Sequence, residues 1–185
     1  MSVDTGLLGR IELFKNLEPS EITEVAKHLK PRQFSKGEVI FKEKAPGDEM
    51  FLIEKGSVEV SLARDDVLLV LAELGRYSFF GEMALLTQRV RSATVTALSD
   101  CVLYSLKRSD LSRLVEERPA LSAKVLLALS QTLCDRIAAT NDNLETHFLI
   151  NRAIVDNEQF RQLYIGAQQT KAPQEEKETK SAKES

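Results

Sequence analysis

Two residues of opposite charge, Glu82 and Arg91, stand in the stretch FFGEMALLTQRVRSATV at positions 79–95, which is otherwise rich in small and apolar residues. A carboxylate accepts hydrogen bonds from a sugar hydroxyl, whereas a guanidinium gives a phosphate directional, charge-assisted ones. Together they suit a ligand that carries both a hydroxyl and an anion. Gly81 allows a sharp turn ahead of Glu82, so that backbone N–H groups around Met83 and Ala84 can open a short helix toward an anion. Ser92 adds one hydroxyl, and the small side chains of Ala84 and Ala93 let the chain approach a compact ligand. Spacing alone also fits a plainer arrangement, an ion pair on a loop with Met83, Leu85 and Leu86 filling the core.

No other residues assemble into a reactive set. The chain has two histidines, His28 and His147, and two cysteines, Cys101 and Cys134, all far apart in sequence. Neither a metal site nor a disulfide framework is expected from them, and no nucleophile has a recognisable base. The reading is therefore no catalytic residue, no metal, no cofactor and no enzyme.

Composition narrows the partners. With 43% hydrophobic residues and a net charge of −3 over 185 residues, the chain suits one globular core with extensions and offers no overall basic field for nucleic acid. It shows no signal peptide pattern and no apolar run of membrane-spanning length, so the cytoplasm is the expected compartment and no membrane partner is expected.

The elements that must position Glu82 and Arg91 follow from periodicity. Residues 1–32 read as an N-terminal helical segment, with Ser20 expected to cap a helix and Pro31 to lie beyond its end. Residues 33–107 read as many short β-prone pieces divided by glycine turns, a small antiparallel barrel or jelly roll. From 108 to 165 the period lengthens. Ser109 or Asp110 is expected to cap a short helix, and Pro119 to open a much longer one. Its stripe of Leu126, Leu129, Leu133, Ile137, Thr140, Leu144 and His147 or Phe148 calls for a partner surface, for which self-association into a homodimer is the expectation. Residues 166–185, polar and charge-balanced, read as a disordered tail.

The segment GDEMFLIEKGSVEV at 47–60, the run ALL after FFGEM, and RSATV at 91–95 together resemble the cyclic nucleotide-binding domain family. The resemblance runs from about Leu13 to Leu144, and 80–95 is similar to that family's phosphate-binding cassette almost throughout. It implies an α+β fold, an antiparallel β-barrel or jelly roll with N-terminal helices and a long C-terminal helix. It implies that Glu82 holds a ribose 2′-hydroxyl, that Arg91 holds the cyclic phosphate, and that Ser92 touches phosphate or base. Backbone groups around Gly81, Met83 and Ala84 would complete the cradle. Gly47 and Gly56 match turn glycines of the scaffold rather than ligand contacts. The long helix resembles the dimer helix of bacterial catabolite activator proteins, which brings Thr140 and Asn141 forward as contacts to the base. RSA is closer to adenosine-selective members than RTA would be, favouring cAMP with cGMP as the second choice.

One departure stands out. Many relatives carry a second glycine ahead of the aromatic pair, where this chain has Arg76, Tyr77 and Ser78. The functional expectation is a cyclic nucleotide-sensing regulator that signals through its C-terminal helix to an unidentified effector protein. The alternative is a dimerisation or interaction scaffold that binds no cyclic nucleotide. A DNA-binding transcription factor is the weakest reading, because the caps and apolar patterns of an appended helix-turn-helix are missing.

Overall fold

Short runs of β-branched and aromatic residues punctuated by Gly37, Gly56 and Gly81, all at positive φ, break the centre of the chain into eight strands. The computed structural model describes residues 3–65, 67–87 and 89–156. In chain order the elements are α1 (Thr5–Leu8), a 3₁₀ turn (Glu12–Phe14), α2 (Pro19–Ala26), β1 (Lys30–Phe34), β2 (Val39–Phe41), β3 (Glu49–Lys55), β4 (Val58–Arg64) and β5 (Val67–Leu74). There follow β6 (Phe79–Phe80), α3 (Glu82–Leu86), β7 (Thr94–Ala97), β8 (Cys101–Lys107), α4 (Arg108–Glu117) and α5 (Pro119–Asp156).

The strands form two antiparallel four-stranded sheets, ordered β1-β8-β3-β6 and β2-β7-β4-β5. This is the jelly roll of the two expected forms and not a closed barrel. Among the described residues no ladder joins the sheets, so β1, β6, β2 and β5 remain edges. Side chains that alternate inward fill the space between them. Phe51, Ile53, Phe80, Cys101 and Leu103 come from the first sheet, and Val58, Val95 and Ala97 from the second. The opposite face of the first sheet is buried too, as Met50, Leu52, Tyr104 and Leu106 show. Strands covered on both faces are continuously apolar rather than alternating. The N-terminal end of the chain reaches this face, where the Asp4 backbone N–H donates to the Tyr104 hydroxyl at 3.3 Å.

Helix starts differ from the sequence expectation. Glu18, not Ser20, is the N-cap of α2, because Pro19 is preorganised for the first helical position and the Glu21 carboxylate accepts from the Glu18 N–H at 2.8 Å. Likewise α4 begins at Arg108 with Lys107 as its cap residue, so neither Ser109 nor Asp110 caps it. The chain leaves β8 directly into the helix, and the Arg108 N–H bonds instead to the Asp48 carbonyl at 2.7 Å. β1 takes in Pro31 opposite Tyr104, which an edge strand tolerates.

Two compact units divide the chain at Thr132 and Leu133, and α5 runs through both. In the first unit Leu121, Val125, Ala128 and Leu129 are buried. In the second, Ile137, Leu144 and Phe148 are exposed. No described helix is long and apolar enough to cross a membrane. The expected disordered tail at 166–185 lies outside the described residues, as does the side chain of His147.

Candidate functional site

Gly81 sits in the left-handed region at φ 79° and turns the chain from β6 into α3, as only glycine does without strain. Glu82 is thereby the first residue of α3, and its side chain is 6% exposed. Arg91 is 5% exposed. Its backbone is pinned on both sides of the turn after β2, with the Arg91 N–H donating to the Ala45 carbonyl at 2.9 Å and the Lys44 N–H to the Arg91 carbonyl at 2.8 Å.

The Arg91 guanidinium lies over an aromatic floor, its Cζ 4.0 Å from the Phe41 ring centroid and 6.0 Å from that of Phe51, an attractive cation–π geometry. Its Nη1 donates to the Glu49 carbonyl at 2.7 Å and, at 3.5 Å, to the Gly81 carbonyl. Two glycines make room for it. A Cβ on Gly47 would stand 2.2 Å from Arg91 Nε, and one on Gly81 would stand 2.8 Å from Nη1.

The charge of this guanidinium is only partly answered. Nε is buried with no hydrogen-bond partner, and Glu49 meets Nη1 through its backbone carbonyl. Desolvation draws its pKa below the usual arginine value, against the fields of Glu49 and Asp48, which raise it. It stays protonated, because even a perturbed guanidinium does not release its proton in proteins. A buried cation with an idle donor is the natural counterpart of an anion.

The other expected residues fall into three places. Ser92 and Met83 meet at the surface, with the Ser92 hydroxyl donating to Met83 Sδ at 3.6 Å. Ala84 is buried, and its carbonyl accepts from the Arg108 guanidinium. Thr140 and Asn141 lie exposed on α5 in the second unit, and the Thr140 hydroxyl donates to the Arg136 carbonyl at 2.8 Å. The structure thus brings Arg91 against Gly81 at the start of α3, and Ser92 against Met83.

Sequence reasoning missed Phe41, the Glu49 carbonyl and Arg108, and it gave Gly47 only a turn. None has a local signal, since each acts across strands distant in sequence. In the Arg76-Tyr77-Ser78 turn a non-glycine residue takes the left-handed conformation. Tyr77 itself takes a positive φ of 73°, held by its N–H on the Ile53 carbonyl at 3.0 Å and by the Arg76 guanidinium 4.8 Å from its ring centroid.

The chain is similar to known proteins. The chain is 30% identical over 139 residues to the CRP-like cAMP-activated global transcriptional regulator of Mycobacterium tuberculosis, covering 75% of this chain and 60% of the regulator. It is 36% identical over 116 residues to a cyclic nucleotide-gated potassium channel of Mesorhizobium japonicum, covering 63% of this chain and 31% of the channel. This chain therefore spans less than two thirds of either relative. A solved cyclic nucleotide-binding domain from Methylobacillus flagellatus superposes with a TM-score of 0.70 at 25% identity, covering 77% of this chain and 81% of that one. The profile of the cyclic nucleotide-binding domain matches residues 31–118. Fold and sequence match agree, and residues 31–118 of this chain belong to the cyclic nucleotide-binding domain family.

Proposed function

We propose that the protein is a cAMP-sensing regulator without enzymatic activity, with cGMP as the second-best ligand. The observation that carries this reading is Arg91, buried on Phe41 with its Nε unpartnered. A cyclic phosphate supplies the missing acceptor with charge-assisted bonds. Glu82 accepts a bond from the ribose 2′-hydroxyl, and backbone groups of Gly81, Met83 and Ala84 frame the phosphate. Ser92, exposed beside Met83, gives the phosphate or base a hydroxyl. The cAMP-activated regulator among the relatives supports the choice of nucleotide.

Ligand binding signals only if it favours one helix arrangement over another. The exposed Ile137, Leu144 and Phe148 of α5 support a homodimer through this helix, and an effector protein then reads the bound state. Calorimetric titration of wild type and Arg91→Ala with cAMP and cGMP tests the binding step. Heat for cAMP in wild type that disappears in Arg91→Ala is expected. Absence of heat for both nucleotides in wild type would leave the nucleotide-free scaffold instead.

A further inference from the structure

Arg108, the first residue of α4, turns its side chain back onto the far end of α3. Nε donates to the Leu85 carbonyl at 3.0 Å, and Nη2 donates to the carbonyls of Ala84 and Thr87. The last carbonyls of a helix have no partner within it and attract a cation, so one planar fork gathers this end of the cassette. The Arg108 backbone N–H meanwhile bonds the Asp48 carbonyl at 2.7 Å.

Asp48 lies between two residues that touch Arg91. Gly47 packs against the Arg91 guanidinium, and the Glu49 carbonyl accepts from it. The segment 47–49 is therefore in contact with both arginines, one on the phosphate side and one at the root of α4. The cassette helix is held in the same way, with Arg91 Nη1 at the Gly81 carbonyl and Arg108 on the carbonyls at its other end.

We propose that Arg108 is a positioning residue that transmits the state of the Arg91 site to α4. The proposal rests on the reading of Arg91 as the phosphate holder. Any shift of Arg91 toward a phosphate alters its bonds at Glu49 and Gly81, and Arg108 carries the displacement of α3 and of 47–49 into the first turn of α4. Lysine keeps the charge but lacks the fork that spans several carbonyls, so Arg108→Lys should fold and transmit poorly.

The test is hydrogen–deuterium exchange, read by mass spectrometry on the full chain with and without cAMP. It compares wild type, Arg108→Gln, Arg108→Lys and, as a charge-matched control on the exposed side of α4, Arg113→Gln. In wild type and Arg113→Gln, cAMP should change exchange both in residues 81–92 and in α4. In the Arg108 variants the change at 81–92 should persist, with cAMP binding weakened about tenfold, while the change in α4 disappears. Should Arg108→Gln lose its fold, Arg108→Lys carries the comparison. An α4 response of wild-type size in a folded Arg108 variant overturns the proposal, as does a wild type that responds at 81–92 but not in α4. A wild type that responds nowhere refutes the phosphate reading of Arg91 instead.

Discussion

Gly47→Ala is the substitution that most sharply separates this site from an ordinary loop. The added Cβ would meet Arg91 Nε at 2.2 Å, Cζ at 2.5 Å and Nη2 at 2.8 Å. Since comfortable non-bonded contact begins near ~3.5 Å, the guanidinium must move on the order of 1 Å. A shift of that size is enough to take the 2.7 Å bond from Nη1 to the Glu49 carbonyl beyond hydrogen-bonding range. Gly47 is not among the glycines at positive φ, so crowding and not backbone strain is what the variant probes. A guanidinium displaced this far forfeits one charge-assisted hydrogen bond to the cyclic phosphate, about 1.5–3 kcal/mol, or roughly ten- to a hundredfold in cAMP affinity. Gly75→Ala serves as the control, because nothing lies within 4 Å of its added Cβ. Calorimetry with cAMP on both variants, with thermal melts alongside, reads the outcome. Gly47→Ala binding as tightly as wild type would show that Arg91 is not held in the glycine-lined slot when it meets the nucleotide.

Four further outcomes follow from named contacts. Glu82→Ala should weaken cAMP about tenfold; 2′-deoxy-cAMP should bind wild type equally weakly and lose little more in the variant, a double-mutant cycle that fails if the two losses simply add. Burial above all, with the Glu54 side chain second, raises the Tyr104 hydroxyl pKa from 10.0 to about 12. Its neutral form is the one that folding favours, so the stabilisation is complete below pH 10 and falls by up to about 2.7 kcal/mol as the pH rises toward 12. Denaturant melts should show this alkaline loss in wild type and not in Tyr104→Phe. Ser105 Oγ is buried without a partner, so Ser105→Ala should raise stability by about 1 kcal/mol in the same melts. Replacing Ile137 and Leu144 together by glutamate should convert a dimer to a monomer in size-exclusion light scattering, and an unchanged mass would rule out α5 as the interface.

Much of the architecture was legible because it depends on local pattern. Pro119 opens α5 as its fixed φ demands, and the β-prone runs divide at glycines, of which Gly37 and Gly56 take a positive φ. Glu82 and Arg91 stood out by charge in an apolar stretch, and both are buried. Caps were harder to read, because Ser20, Ser109 and Asp110 have the right chemistry but lost to Pro19 at one helix and to direct passage from β8 at the other. Least legible were Phe41, Gly47, Glu49 and Arg108, whose roles exist only once β2, β3 and the start of α4 are brought to one place. Gly47 is the instructive case. As a sequence letter it signals a turn, and in the structure its missing side chain is the space that Arg91 occupies.

A crystal structure of the protein grown with cAMP would test most directly whether Arg91 and Glu82 divide the nucleotide between them. The account predicts phosphate oxygens about 2.7–2.9 Å from the Arg91 guanidinium and the ribose 2′-hydroxyl within hydrogen-bond reach of the Glu82 carboxylate. A cAMP molecule whose phosphate lies away from Arg91, with that side chain still on the Glu49 carbonyl alone, would contradict it.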